Sequence, residues 1–262
     1  MLKINKIFLY DEPSVPEIEF ENLAKFIKET FNVQVELRKH FFEHFRSDKK
    51  IASDLASIRV FNPYTSFEKH DPTSEEVIFE EESFTNKFAS NNIILYDGFE
   101  FQNLLKEIIP QEELTLDHFH LIFTTRLTCT CDDEGYKYHG RAVICSNPAI
   151  ISTTGIIEAP AKPREFYLRM HPAISQGLNQ EVLKEQFRGR FLEYHDKKLS
   201  TVVKGYAMQT IFYYLTTDAF CGSKDCILYN AHWQEDLIHS QIEIGKLCNT
   251  HQKILDSIKN TS

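Results

Sequence analysis

The stretch Ser200 to His251 limits this chain more than any other. It reads STVVKGYAMQTIFYYLTTDAFCGSKDCILYNAHWQEDLIHSQIEIGKLCNTH. Ser200 reads as a helix cap. Val202, Val203, Tyr206, Ala207, Ile211, Tyr214 and Leu215 then give a helix with almost no polar face, which must be buried. Cys221 and, after four intervening residues, Cys226 follow it. Residues 234–258 read as a final helix, on which Cys248 and His251 share a face. Three thiols and an imidazole complete a tetrahedral Cys3His zinc site. With all four positions filled by Cys221, Cys226, Cys248 and His251, one such zinc is structural: it staples the last helix to the core. The alternative is inert buried cysteines and a surface histidine.

Composition narrows the classes further. The chain has 262 residues, 42% hydrophobic, with 21 Phe and 11 Tyr, enough for a sizeable core. Glycine is scarce at 9 residues, and neither G-x-G-x-x-G nor G-x-x-x-x-G-K-[ST] occurs, which leaves nucleotide binding without support. A formal charge of -9 without a basic stripe argues against nucleic acid. No apolar run reaches the roughly 20 residues that span a bilayer, and Lys3 and Lys6 interrupt the N-terminal run. The expectation is a cytoplasmic protein, off the membrane. There, six cysteines point to metal ligation or burial, not disulfides.

In chain order, residues 4–10 read as a buried strand, 18–31 as an amphipathic helix and 33–38 as a half-buried strand. This strand–helix–strand unit predicts a parallel sheet at that point. Residues 39–46 and 49–58 follow as helices; His40 and His44 have metal-ligand spacing but nothing nearby to complete a site. The acidic run 71–83 reads as a solvated loop or insertion. Residues 93–96 form a short strand and 99–108 a helix ending before Pro110. Residues 118–131 read as one long strand, 132–135 as a hairpin turn and 136–146 as the antiparallel return. Cys129 and Cys131 would share a face, and with His139 opposite Cys129 the three form an alternative metal site. Small buried thiols on a sheet face plus one exposed histidine are the favoured explanation, and Cys145 lies farther along. Residues 147–165 read as irregular or edge structure, with Pro160 and Pro163 excluding a central strand. Asn179 reads as the N-cap of a helix over 180–198, with Leu183, Phe187, Phe191 and Tyr194 on one face.

The buried helix followed by Cys221, Cys226, Cys248 and His251 resembles the archaemetzincins, zinc metallopeptidases of the metzincin type. Their motif is H-E-x-x-H-x-x-G-x-x-H-C, four residues, Cys, one residue, Met. On this resemblance Leu228 stands at the turn methionine and His251 replaces the last cysteine. Counting back from Cys221, the catalytic histidines fall on Thr210, Tyr214 and Phe220, the glutamate on Ile211 and the glycine on Thr217. The middle of the chain and the segment AHWQEDLIHSQ are similar to an uncharacterised archaeal family described as metallopeptidases with a degenerate H-E-x-x-H motif. The resemblance implies one metzincin-like domain over 1–262. Residues 1–165 form its sheet-rich part and 166–262 its helical, zinc-binding part.

The expected fold is therefore α/β: a mixed, mostly parallel sheet with an antiparallel hairpin, flanking helices and a zinc-stapled C-terminal helical part. The expected function is a pseudo-peptidase that keeps the structural zinc, lacks the usual catalytic one and binds a peptide or protein. One alternative is an active peptidase using a non-standard site. His232, Asp236 and His239 have i, i+4, i+7 spacing, which makes His232 and His239 candidate ligands and Glu235 a candidate base. The other is a zinc-stabilised structural protein. Glu193, His195 and Asp196 read as the polar end of a solvated helix.

Overall fold

The computed structural model describes residues 2–85, 93–132, 137–177 and 180–261. The first half runs β1 (Lys6–Tyr10), α1 (Phe20–Phe31), β2 (Gln34–Arg38), α2 (Phe41–His44), α3 (Lys49–Ser57), α4 (Ser74–Ser83), β3 (Leu95–Asp97) and α5 (Gly98–Ile108). It continues β4 (His118–Thr124), β5 (Leu127–Asp132), β6 (Lys137–Arg141), β7 (Val143–Ile144), β8 (Ala149–Ser152) and α6 (Thr153–Glu158). The C-terminal helices are α7 (Arg164–Ser175), α8 (Gln180–Glu185), α9 (Leu199–Thr216), α10 (Gln234–Ile238) and α11 (Asn249–Thr261).

Alternation along β1 sets the layering. Successive strand side chains point to opposite faces, so Ile7 and Leu9 enter one core while Phe8 and Tyr10 enter another. Both neighbouring strands on that side do the same: Phe119, Leu121 and Phe123 oppose Ile122 on β4, and Ala149 and Ile151 oppose Ile150 on β8. A strand buried on both faces reads as an unbroken apolar run. The first core is closed by α1, α9 and α11, the second by α2, α3, α4 and α5. The sheet order is β2-β1-β4-β8-β7. Its first four strands are parallel, and β7 lies antiparallel on the β8 edge. The predicted opening β1–α1–β2 unit is parallel as expected.

Several expectations are corrected. The run 118–131 is two strands, because the chain leaves the first sheet at Thr125–Arg126. Beyond it β5 joins a second sheet of order β3-β5-β6. The break is a polar anchor: the Thr125 N–H donates to Glu12, the Arg126 N–H donates to Thr124 Oγ1, and the Arg126 guanidinium reaches Glu80. The return segment divides likewise, β6 staying in the second sheet and β7 rejoining the first. Within 147–165 lies the buried strand β8, next to β4; Pro148 precedes it, while Pro160 and Pro163 follow α6 and so never interrupt the ladder. The hairpin turn at 132–135 falls mostly outside the described residues, and so does Asn179.

The acidic run 71–83 is not a solvated loop. Thr73 and Glu76 form a reciprocal capping box that starts α4. About two turns on from Thr73, Glu80 is 0% exposed. Helix α8 stops at Glu185, and Phe187 and Phe191 instead pack on Phe166 and Met170 through turns that end at Gly189 (φ +82°). The final helix is also interrupted. After α10 the chain makes a π turn over His239–Ile244, and Gly245 (φ +57°) ends it before α11 begins. Ser200 does not cap α9: its hydroxyl accepts from the Glu19 N–H. Among the described residues no helix is long and apolar enough to cross a membrane.

Candidate metal centre

Two main-chain devices build the cluster. The loop after α9 folds back on itself, with Cys221 N–H donating to Leu228 O at 2.9 Å and Tyr229 N–H to Cys226 O at 2.9 Å. The break at Gly245 then brings the start of α11 to this loop, and Ile227 N–H donates to Lys246 O at 2.9 Å. Cys248 precedes α11 and His251 lies in its first turn, so their shared face survives although the long helix does not.

These four residues converge. Their ligand atoms all lie within 4.8 Å of one another, and among the described residues they are the one such group of three or more potential ligands. Cys221 and Cys248 Sγ stand 4.0 Å apart; His251 Nδ1 is 3.8 Å from Cys226 Sγ and 3.1 Å from Cys248 Sγ. Zn–S bonds of about 2.3 Å at tetrahedral angles give S···S edges of about 3.8 Å. The Cys221–Cys248 sulfur separation of 4.0 Å lies close to that edge. Two main-chain amides also point at sulfur: Ser223 N–H at Cys221 and Cys248 N–H at Cys226, each at 3.4 Å. Such N–H···S contacts stabilise thiolates and orient them for a metal.

The thiols differ when considered without metal. The His251 backbone N–H, at the open end of α11, draws Cys248 down to about 6 against the cost of its desolvation. Burial pushes Cys226 up to about 12. The His251 ring rests edge-on against Phe212 of α9, 6.0 Å between centroids, so the cluster sits on the first core. A Cys3His set of this geometry is compatible with one zinc ion.

The other sequence candidates do not assemble. His232 precedes α10 and is not helical, so the i, i+4, i+7 spacing does not apply. The Glu235 carboxylate takes Arg190 at 2.7 Å, Asp236 takes Lys224 at 2.6 Å, and His239 is held between Asp225 and Glu243 at 2.9 and 2.8 Å. In the β5–β6 ladder His139 faces Thr130, while Cys129 faces Gly140 and Cys131 faces Tyr138. That one-residue difference puts His139 on the opposite face from both cysteines. Cys129 is buried, donates to Tyr96 O and is pushed up to about 12 by burial. His40 is buried against Glu12 at 3.6 Å, and His195 pairs with Glu17.

A cleft of about 520 Å³ lies between α9 and the free side of β7. The α9 residues that line it are Tyr206, Gln209 and Tyr213, followed by Thr217 and Phe220. The positions counted back from Cys221 are only partly there. Thr210 and Ile211 are fully buried, and the Tyr214 hydroxyl donates to Leu116 O beside Phe119. Sequence reasoning missed Gln209, although it is the one side-chain amide on an otherwise apolar helix centre.

The architecture and the cluster define a metal-binding protein of mixed α/β class, with parallel and antiparallel sheets. The chain belongs to a family of metallopeptidase-like proteins: the model of the "Probable metallopeptidase family (DUF6775)" matches residues 3–258. Among solved structures it is similar to a zinc-dependent peptidase from Methanocorpusculum labreanum (strain Z). Identity is 11% over 95% of this chain and 99% of that one, with a TM-score of 0.45. No curated protein matches it.

Proposed function

We infer that this protein is a pseudo-peptidase. It keeps a structural zinc on Cys221, Cys226, Cys248 and His251, and it holds extended peptides in the cleft without a catalytic zinc on α9. One observation carries this reading: α9 contains no His, Cys, Asp or Glu, so the helix that walls the cleft offers no standard zinc ligand and no carboxylate base. The ligand cluster lies elsewhere, after the helix, with four protein ligands and no open position.

The peptide part rests on β7. It is the terminal strand of its sheet, and residues 143–145 line the cleft. Ser152 N–H donates to Ala142 O at 2.9 Å, so antiparallel alternation turns the main chain of Val143 away from β8 and toward the cleft. An unpaired edge beside a groove suits an added peptide strand. Kinship with the archaemetzincins is part of the proposal, supported by the order of helix, Cys221, Cys226, Cys248 and His251. So is a single functional unit over 1–262, since α1, α9 and α11 share one core. A reducing, cytoplasmic setting accords with six free cysteines.

Metal counting tests the central point. Full-length protein purified without chelator is expected to contain one zinc per chain by mass spectrometry of the metal, and to leave casein uncut. Two zincs, the second lost quickly to a chelator together with proteolysis, would overturn the reading.

A further inference from the structure

Two polar groups in the cleft are only partly satisfied, and they are of complementary kinds. Arg141 ends β6 and is half-buried in the cleft wall, its Nε–H donating to Thr130 Oγ1 at 2.7 Å. No carboxylate lies within ion-pair distance of it among the described residues. The other enclosed arginines are all paired: Arg38 with Glu113 through two 2.7 Å contacts, Arg59 and Arg126 with Glu80. In a chain of net charge -9, an arginine fixed in a groove without an acid is an open anion site. Across the cleft, Gln209 is 1% exposed. Its Nε2 donates to Tyr229 O at 3.1 Å, which commits the amide's orientation and leaves Oε1 buried without a donor. An unfilled buried acceptor is costly, and a ligand N–H relieves it.

Resting on the peptide-binding reading above, we propose that the cleft recognises the free C-terminus of a peptide, its carboxylate on Arg141 and a main-chain N–H on Gln209 Oε1. The last residue of a peptide is a small ligand that supplies both an anion and a neighbouring N–H donor. The direction also follows. A strand added antiparallel to β7 places its C-terminal end at the start of β7, and Arg141 stands two residues before Val143. The half-exposed rings of Tyr213 and Phe220 offer the terminal side chain an aromatic seat, so a bulky apolar last residue is preferred.

The test uses the zinc-loaded full chain and calorimetric titration with N-acetyl-Ala-Ala-Ala-Phe as the free acid and as the C-terminal amide. The free acid is expected to bind about tenfold or more tighter, the size of a charge-assisted forked contact. Arg141→Gln should bring the two forms to equal affinity, and Gln209→Met should weaken both alike. Should Arg141→Gln fold poorly, Arg141→Lys, which keeps the charge but not the fork, should narrow the ratio. Equal binding of acid and amide by the unaltered protein overturns the terminal-carboxylate assignment while leaving peptide binding intact. Binding of neither overturns both. An amidated peptide carrying an internal aspartate that binds as well as the free acid would move Arg141 to side-chain recognition and also overturn the proposal.

Discussion

Cys226→Ser is expected to lose the zinc and to lower the melting temperature by about 10 °C. Cys226 is the fully buried member of the cluster, and it ties three segments together. Its sulfur faces His251, receives the Cys248 N–H, and sits in the loop that closes on α9. Metal bound at a thousand times its Kd stabilises the native state by about 4 kcal/mol. For a chain of this size each kcal/mol moves the midpoint by about 2–4 °C. The measurements are metal content and calorimetric melting, each before and after chelator. The unaltered protein should fall to the variant's midpoint when stripped, whereas the variant should not respond. The loss should be concentrated at the C-terminal end, because α11 reaches the core through Leu255 and Ile258 and holds no strand. Hydrogen exchange should therefore quicken in 221–261 before it does in β1 or β4. A variant that keeps its zinc and its midpoint would refute the staple.

What the sequence disclosed and what it hid divide along a physical line. The cluster was legible because ligand spacing is chemistry: Cys-x4-Cys and Cys-x2-His keep their meaning whether 234–258 is one helix or is broken at Gly245. The opening strand–helix–strand unit was legible because apolar period is local. The strand break at Thr125–Arg126 was not, since 118–131 reads as continuous and only the distant Glu12 and Glu80 explain the departure. Which α9 side chains reach the cleft was not legible either: packing against Phe119 turns Tyr214 away, while Gln209 and Tyr213 line the cleft. Charge alone misled most at 71–83. An acidic run is ordinarily solvated, and nothing local reveals that Arg59 and Arg126 come from separate elements to meet one of its carboxylates.

That meeting gives the second large effect, at Glu80. The carboxylate is 0% exposed and holds Arg59 at 2.6 Å through Oε1 and Arg126 at 2.8 Å through Oε2, with the Tyr96 hydroxyl donating to Oε1 at 2.6 Å. Each arginine side chain is itself only 7% exposed. Glu80→Ala strands the buried Arg126 cation and leaves Arg59 only Glu76, at 3.3 Å, and breaking a buried pair from one side costs about 3–5 kcal/mol. The melting temperature should fall by about 10 °C, with zinc content unchanged, which separates this lesion from loss of the metal staple. Acid should mimic the substitution. Burial alone would raise the Glu80 pKa, but the charge of Arg126 and the hydrogen bonds from Tyr96, Arg126 and Arg59 outweigh it and hold the carboxyl below its usual range. A carboxylate depressed in the folded state contributes stability that is present above its unfolded pKa and is lost as pH falls through the folded value. Part of the acid-side decline in melting temperature should therefore vanish in Glu80→Gln, which is already neutral. Replacing Glu80, Arg59 and Arg126 together by apolar residues of similar volume should recover much of the loss, because no charge is then left buried without a partner. Parallel acid profiles for the unaltered protein and Glu80→Gln would show that this carboxylate does not govern the acid limb.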